Sequence, residues 1–398
     1  MLRTEELRAR MVADLLERGD LTEDWTRAFV QVPRHAFIPT TIWRHDRRVT
    51  GNDLLPLHFD DDPDGWLLQA YANTAVNTQV DDGRPAADGT GREVTSSASM
   101  PSVIAQMLHA LDTHPGHSVL EIGTGTGYNA GLLAHRLGPE QVVTVEINPE
   151  VADHARRALS RTGYGKVAVL TADGTHGHPA RAPYQRILAT AGTREIPYTW
   201  VEQVVPGGRI VLPLNRTYHC PGILSLTVDD DRTACGRISG PAAFMALRSE
   251  RIPRPHGAEI IGDPDTVSQT HLHPHAVAGD RDAATAIALR VDACHKHYVP
   301  DSPTTGTQWL LDPESRSWAS VELTTQPPYP VRQGGPRRLW TEIESAHLWW
   351  EDHGRPPVSA WLVTVEPDGQ RIELTPDTPT SADPTGAPNE ERAVRTDR

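Results

Sequence analysis

Gly123, Gly125 and Gly127 recur at every second position between the apolar pair Val119-Leu120 and a helix-forming run from Tyr128 to Leu137. A strand-to-helix turn without Cβ atoms lets a ligand come close to the backbone. About 19 residues beyond Gly127, the strand-like run Val142-Val143-Thr144-Val145 ends in Glu146, with Ile147 after it. An acid at that place accepts both hydroxyls of a ribose. The loop Gly123-Thr124-Gly125-Thr126-Gly127, the helix and the acid therefore read as one βαβ unit that binds a nucleoside cofactor. The spacing is GxGxG rather than GxGxxG, Glu121 stands two residues before the first glycine, and more than a hundred residues precede it. These features favour S-adenosylmethionine over NAD, with Glu121 meeting the cationic amino-acid end of the cofactor and the helix start suiting its carboxylate.

A second constellation is Val94-Thr95-Ser96-Ser97-Ala98-Ser99-Met100-Pro101, four hydroxyl residues within five positions. It leads into an amphipathic helix carrying Val103, Ile104, Met107, Leu108 and Leu111. Ser and Thr cap helices, and Pro101 suits an early helical position. One cap needs only one hydroxyl, which leaves the others as candidates for chemistry.

The elements that must position these residues alternate in type. Leu2, Leu7, Met11, Leu15 and Leu16 predict a first helix stopped at Gly19-Asp20, and residues 21–30 predict a second. Pro33-Arg34-His35-Ala36-Phe37-Ile38-Pro39 is proline-bounded and closes this helical preface. Residues 51–92, rich in Asp, Gly and Pro, predict a long polar lid or binding loop with a short alternating run over 71–80. After the glycine loop come a helix over 151–159, a strand over 167–170 ending near Asp173-Gly174, and a strand over 184–190. A helix from Ile196 to Val205 then turns at Pro206-Gly207-Gly208 into a strand over 209–214. This alternation predicts a doubly wound parallel sheet, whose ligands bind beyond the carboxyl ends of the strands, where Gly123, Glu146, Asp173 and Ala191 fall. Residues 222–228 predict an antiparallel strand completing that sheet.

The composition narrows the function classes. A chain of 398 residues holds an α/β domain and a second, smaller unit. The net charge of −14 argues against a nucleic-acid partner. Three cysteines without paired spacing support neither a disulfide framework nor a cysteine zinc site, and fit a reducing cytoplasm. No apolar run reaches bilayer length, so no membrane is expected as a partner, and the charged N-terminus is unlike a signal peptide.

Beyond residue 245 the sequence carries strand-like runs over 358–365 and 371–374, a helical piece over 283–293 and six tryptophans (Trp309, Trp318, Trp340, Trp349, Trp350, Trp361). These rings predict a packed core, with peptide recognition as the alternative use. His271, His273, His275, His295 and His297 lack neighbouring acids or paired cysteines, so no metal site is expected. The expected division is a catalytic unit over 1–245, an accessory α+β unit over 246–376 that recognises substrate, and a disordered tail over 377–398.

Ala172-Asp173-Gly174-Thr175-His176-Gly177 followed by Ala182-Pro183-Tyr184-Gln185-Arg186-Ile187 resembles the protein-L-isoaspartate O-methyltransferase pattern. Glu121-Ile122-Gly123-Thr124-Gly125-Thr126-Gly127-Tyr128 and Val205-Pro206-Gly207-Gly208-Arg209 are similar to that family too, and the match spans roughly residues 1–230. The resemblance implies a class I, Rossmann-like methyltransferase fold using S-adenosylmethionine. It implies that Glu146 holds the ribose, that Asp173 with Gly174 holds the adenine edge, and that Ser96 lies beside the methyl acceptor. This sequence departs from the family at His178, where an aromatic is preferred, and at Gln185, where Asp or Asn is. It departs again at Ser97-Ala98-Ser99, which replaces a small residue, proline and His or Tyr.

Together with the additional C-terminal residues, these departures resemble relatives that modify ribosomally made peptides, lanthipeptides and graspetides among them. The expected reaction is then methylation of an aspartate carboxylate in a modified precursor peptide, leading through the ester to a succinimide (aspartimide) or isoaspartate. The alternatives are general repair of isoaspartyl residues and a cofactor-binding module without turnover. A carboxylate is already ionised at neutral pH and needs no general base, so Ser96, Ser97 and Ser99 are expected to orient it.

Overall fold

The computed structural model describes residues 3–45, 53–252 and 257–375. The expected tail over 377–398 lies outside the described residues, as does Leu2 of the first helix. Helices Thr4–Glu17 and Glu23–Gln31 and the short turn Arg34–Phe37 form the preface. Their Leu15, Trp25, Phe29 and Phe37 are fully buried in a core shared with the central sheet.

Residues 53–92, the described part of the expected loop over 51–92, are not the long irregular segment the composition predicts. Strands β1 (Thr41–His45), β2 (Leu54–His58), β3 (Val76–Val80) and β4 (Val94–Ala98) form an antiparallel sheet in the order β2-β1-β3-β4, and the helix Pro63–Tyr71 joins β2 to β3. The many Asp and Pro residues hide elements whose apolar positions are few but well placed: Leu54, Leu57, Trp66, Leu67 and Val80 are all buried. The helix-cap reading of the serines also fails. Residues Val94–Ala98 are strand, Met100 occupies the cap position of helix Pro101–Leu111 without a cap bond of its own, and Asn73 Oδ1 accepts from the Ser102 N–H in the first turn.

The central sheet is built from β5 (Val119–Ile122), β6 (Val142–Glu146), β7 (Ala168–Thr171), β8 (Tyr184–Ala189), β9 (Val204–Leu214), β10 (Gly222–Val228) and β11 (Ala234–Ile238). β7-β6-β5-β8-β9 run parallel, and β10 pairs antiparallel with β9. Val119 and Leu120 feed cores on opposite faces, as do Val142 and Val143, which is why these strands read as continuous apolar runs. The expected helix up to Val205 is shorter, Tyr198–Glu202, and Pro206-Gly207-Gly208 lies inside β9 next to an irregularity in its pairing with β8.

A second antiparallel sheet, β12 (Thr266–Thr270), β13 (His295–Pro300), β14 (Gly306–Asp312), β15 (Ser317–Leu323) and β16 (Tyr329–Gly334), takes the order β12-β16-β15-β14-β13. Helices Arg281–Ala288 and Leu339–Asp352 share its core, with Trp340 and Ile343 buried there. The chain then returns, because β17 (Trp361–Glu366) and β18 (Gly369–Leu374) pair onto β11 and extend the central sheet to nine strands. The boundary expected at residue 245 thus leaves two strands of the central sheet on its far side. Among the described residues no helix is long and apolar enough to cross a membrane.

Candidate active site

The strand order reverses at β5, which lies between β6 and β8, and a crevice opens there beyond the carboxyl ends of the strands. Gly123 has φ +91°, and a Cβ on it would stand 2.9 Å from the Thr190 hydroxyl. Gly125 has φ +52°, and its N–H donates to Glu146 Oε2 at 3.0 Å. Both conformations disfavour any side chain, so the glycine spacing is a backbone requirement of the turn. Glu146 Oε1 also accepts from the Asn148 N–H at 3.0 Å, which fixes the acid at the end of β6.

Glu121 lies beneath this loop with none of its surface open to water. Its oxygens accept from Asn129 Nδ2 and from the Thr144 hydroxyl, both at 2.6 Å, and Thr144 meets the Thr124 hydroxyl at 2.7 Å. Burial pushes its carboxyl up to about 7 against these hydrogen bonds. Glu121 is among the residues that line the cavity, and its bonds to Asn129 and Thr144 let it brace the glycine loop against β6. Asn129 Oδ1, by contrast, is buried at the cavity without a hydrogen-bond partner, an acceptor suited to an ammonium donor.

A cavity of about 1520 Å³ brings most of the expected residues together. Gly123, Thr124, Gly125, Thr126, Glu146, Ile147, Asp173, Gly174 and Ala191 line it on one side, and Ser96, Ser97 and Ser99 line it on the other. Gly127 does not line it; with φ +86° it begins the helix Tyr128–Leu137 and packs against Ala155. Ile147 is 40% exposed beside the cavity, an apolar surface suited to a flat ring. Asp173 Oδ1 accepts from the N–H and hydroxyl of Thr175, at 2.9 and 2.8 Å, which orients its carboxylate.

The serines differ among themselves. Ser96 is buried and its hydroxyl accepts from Thr78 Oγ1 at 3.3 Å, whereas Ser97 and Ser99 are half-buried. Alternation along β4 puts Ser96 on one face and Ser97 on the other. The other two departures from the family pattern lie outside the cavity lining. Gln185 Oε1 accepts from the N–H and hydroxyl of Ser118 at the opposite end of the sheet, and the His178 backbone is bonded to Gln203 and Tyr184.

Three features were missed in the sequence. Arg34 is fully buried, and its guanidinium donates to the carbonyls of Ala70, Ala72, Thr74, Ala98 and Ser99. It pins β4 to the preface; an arginine inside an otherwise apolar, proline-bounded stretch was the available signal. Residues 241–248 roof the cavity, held by Arg248 and Arg251 to Asp82 at 2.7 and 3.0 Å. Finally, β13 and β14 supply a wall that includes Lys296 and Trp309. Of the six tryptophans, Trp318, Trp340, Trp350 and Trp361 are core residues, while Trp309 lines the cavity.

The chain is similar to known proteins. Residues 64–250 match the family described as Protein-L-isoaspartate(D-aspartate) O-methyltransferase (PCMT). A protein-L-isoaspartate O-methyltransferase of Methanopyrus kandleri is 35% identical over 246 residues, covering 61% of this chain and 92% of that protein. One from Polaromonas sp. is 33% identical over 221 residues, covering 56% and 86%. A solved protein-L-isoaspartate O-methyltransferase shares the fold over 92% of this chain and 99% of its own, with TM-score 0.53 and 21% identity. With a glycine loop, a ribose-placed acid and a relative matched over nine-tenths of its length, the chain belongs to the protein-L-isoaspartate(D-aspartate) O-methyltransferase family, S-adenosylmethionine-dependent carboxyl methyltransferases of the class I fold.

Proposed function

We propose that this enzyme methylates the free carboxylate of L-isoaspartyl residues in peptides or proteins. The observation that carries the reading is a single cavity walled by the glycine loop, Glu146 and Asp173 on one side and by the serines of β4 on the other. S-adenosylmethionine, when bound, supplies an electrophilic methyl group on a sulfonium. Glu146 holds the ribose, Asp173 and Gly174 the adenine edge, and Ile147 and Ala191 cover the ring. Glu121 keeps the loop in shape, and Asn129 Oδ1 takes the ammonium. The acceptor carboxylate is ionised near pH 7, so the chain needs no base. What the residues contribute is placement, an effect of up to about 7 kcal/mol, with the half-buried Ser97 and Ser99 or, from the other face of β4, Ser96 donating the hydrogen bond that aims one carboxylate oxygen. The two sheets divide the work: the central sheet with β17 and β18 binds the cofactor, and the sheet β12–β16 screens the peptide. Three free cysteines suit a reducing, cytoplasmic setting.

The test is incubation with S-adenosylmethionine and either an isoaspartyl peptide or its aspartyl isomer, followed by mass spectrometry. Gain of one methyl on the isoaspartyl peptide is expected; cofactor binding without methylation of that peptide would sink the proposal.

A second reading is tailoring of an aspartate in a ribosomally made peptide, favoured by the departure Ser97-Ala98-Ser99 lying in the cavity while those at His178 and Gln185 do not. In that case the next residue's amide nitrogen attacks the ester carbonyl, methanol leaves and a succinimide forms. Methylation of an aspartyl precursor, linear or cyclised, in preference to the isoaspartyl peptide would select it.

A further inference from the structure

The cavity has a charged end away from the cofactor loop. It is formed by residues 216–220, which connect β9 to β10, by Arg281 at the start of its helix, and by Lys296 on β13. Arg216 Nε and His219 Nε2 are buried there and make no hydrogen bond. The Lys296 ammonium stands 4.3 Å from the centroid of the Tyr218 ring, a cation–π contact. Arg281 donates only to the carbonyls of Pro221 and Ser239. Among the described residues none of Arg216, Arg281 and Lys296 has a carboxylate within ion-pair distance.

The acids nearest Arg216 are Asp292, Glu195 and Glu250, and Glu250 already accepts from Thr193 and from the N–H groups of Arg194 and Glu195. Burial lowers the pKa of Arg216, Arg281 and Lys296, and His219 is pushed down to about 4, first by burial and then by the charges of Lys296 and Arg281. In a chain of net charge −14, three half-buried cations without a carboxylate are an arrangement that an anion from outside would relieve.

The position separates this end from the cofactor. Glu146 ends β6 and residues 216–220 follow β9, three places along the sheet, or about 14 Å at the usual strand spacing. The glycine loop after β5 is two places away, about 10 Å, which an extended peptide spans in about three residues.

We propose that Arg216, Arg281 and Lys296 form an anion subsite for the peptide, taking a carboxylate about three residues from the methyl acceptor. That carboxylate is either an acidic side chain or the chain terminus. The proposal rests on reading the cavity as the methyl-transfer site, and it makes the enzyme selective for acidic peptides.

Calorimetric titration of the full chain saturated with S-adenosylhomocysteine tests it. The probes are isoaspartyl peptides with Glu or Gln three residues to either side of the acceptor, each with a free or an amidated C-terminus. The Glu peptide is expected to bind at least about tenfold more tightly than its Gln partner if a side chain is taken. The free-terminus peptide holds that advantage over its amide if the terminus is. Lys296→Gln should reduce the ratio toward one, and Arg216→Gln serves should Lys296→Gln fail to fold, with S-adenosylhomocysteine binding as the check on each. Equal binding of all probes by the wild type, or a preference that survives in both folded variants, overturns the subsite. Methylation of the same peptides separates the two ideas. Methylation of all of them without preference leaves the transferase reading and removes the subsite, whereas charge-selective binding without methylation does the reverse.

Discussion

Residues 119–191 and residues 266–334 wall the same cavity by different means. In the first region each ligand-facing group sits at a fixed step from a strand end: Gly123 after β5, Glu146 at the end of β6, Asp173 after β7 and Ala191 after β8. Backbone topology alone delivers them. In the second region Lys296 near the start of β13 and Trp309 in the middle of β14 reach the cavity from two antiparallel strands, and only the packing of one sheet against the other aims them there. One wall of the cavity thus follows local rules of chain topology, and the other is a surface without such rules.

Arg34 tests whether strand β4, between these regions, is held independently of both. Arg34→Met leaves five carbonyls without their buried donor and should cost about 3–5 kcal/mol in denaturant unfolding. A fully stable variant would mean that the cavity walls, and not the preface, position β4. Lysine should not rescue, since its ammonium cannot match the guanidinium fork.

The bracing role of Glu121 sharpens the first half of the comparison. Its carboxyl is raised from near 4.5 to about 7, so between those values the folded chain holds more protons than the unfolded one. Unfolding free energy must then fall as pH rises through that window and level off above it. Measured against Glu121→Gln, the wild type should lose about 3 kcal/mol between pH 4.5 and 8. Parallel curves for the two proteins would place the charge elsewhere.

A smaller effect, about 2 kcal/mol, is expected on S-adenosylmethionine affinity in Glu146→Ala, the range for a charge-assisted hydrogen bond. Unchanged affinity in a calorimetric titration would remove this acid from the cofactor site.

The smallest effect belongs to the second region. Trp309→Ala should raise the KM for peptide by about fivefold, roughly 1 kcal/mol, while cofactor affinity stays at the wild-type value. An equal fall in both would erase the division of labour between the two walls.

The amino-acid sequence by itself determined the parallel half of the central sheet, the glycine loop, the acid that ends β6 and the acid after β7. Those features depend on residues adjacent in the chain: positive φ at glycine, apolar runs buried on two faces, an acid where a strand stops. Family pattern singled out Ser96, while Ser97-Ala98-Ser99 departed from it, and the helix cap offered as the other use of these hydroxyls gives way to strand pairing of β4 with β3. Tertiary structure alone decided the rest. The Asp-rich stretch becomes a sheet because Leu54, Leu57, Trp66 and Val80 find a core that composition cannot reveal. β17 and β18 join a sheet whose nearest strand, β11, ends more than a hundred residues earlier. Arg216, Arg281 and Lys296 share one end of the cavity for the same reason: side chains from a loop, a helix start and an edge strand meet only after both sheets have packed.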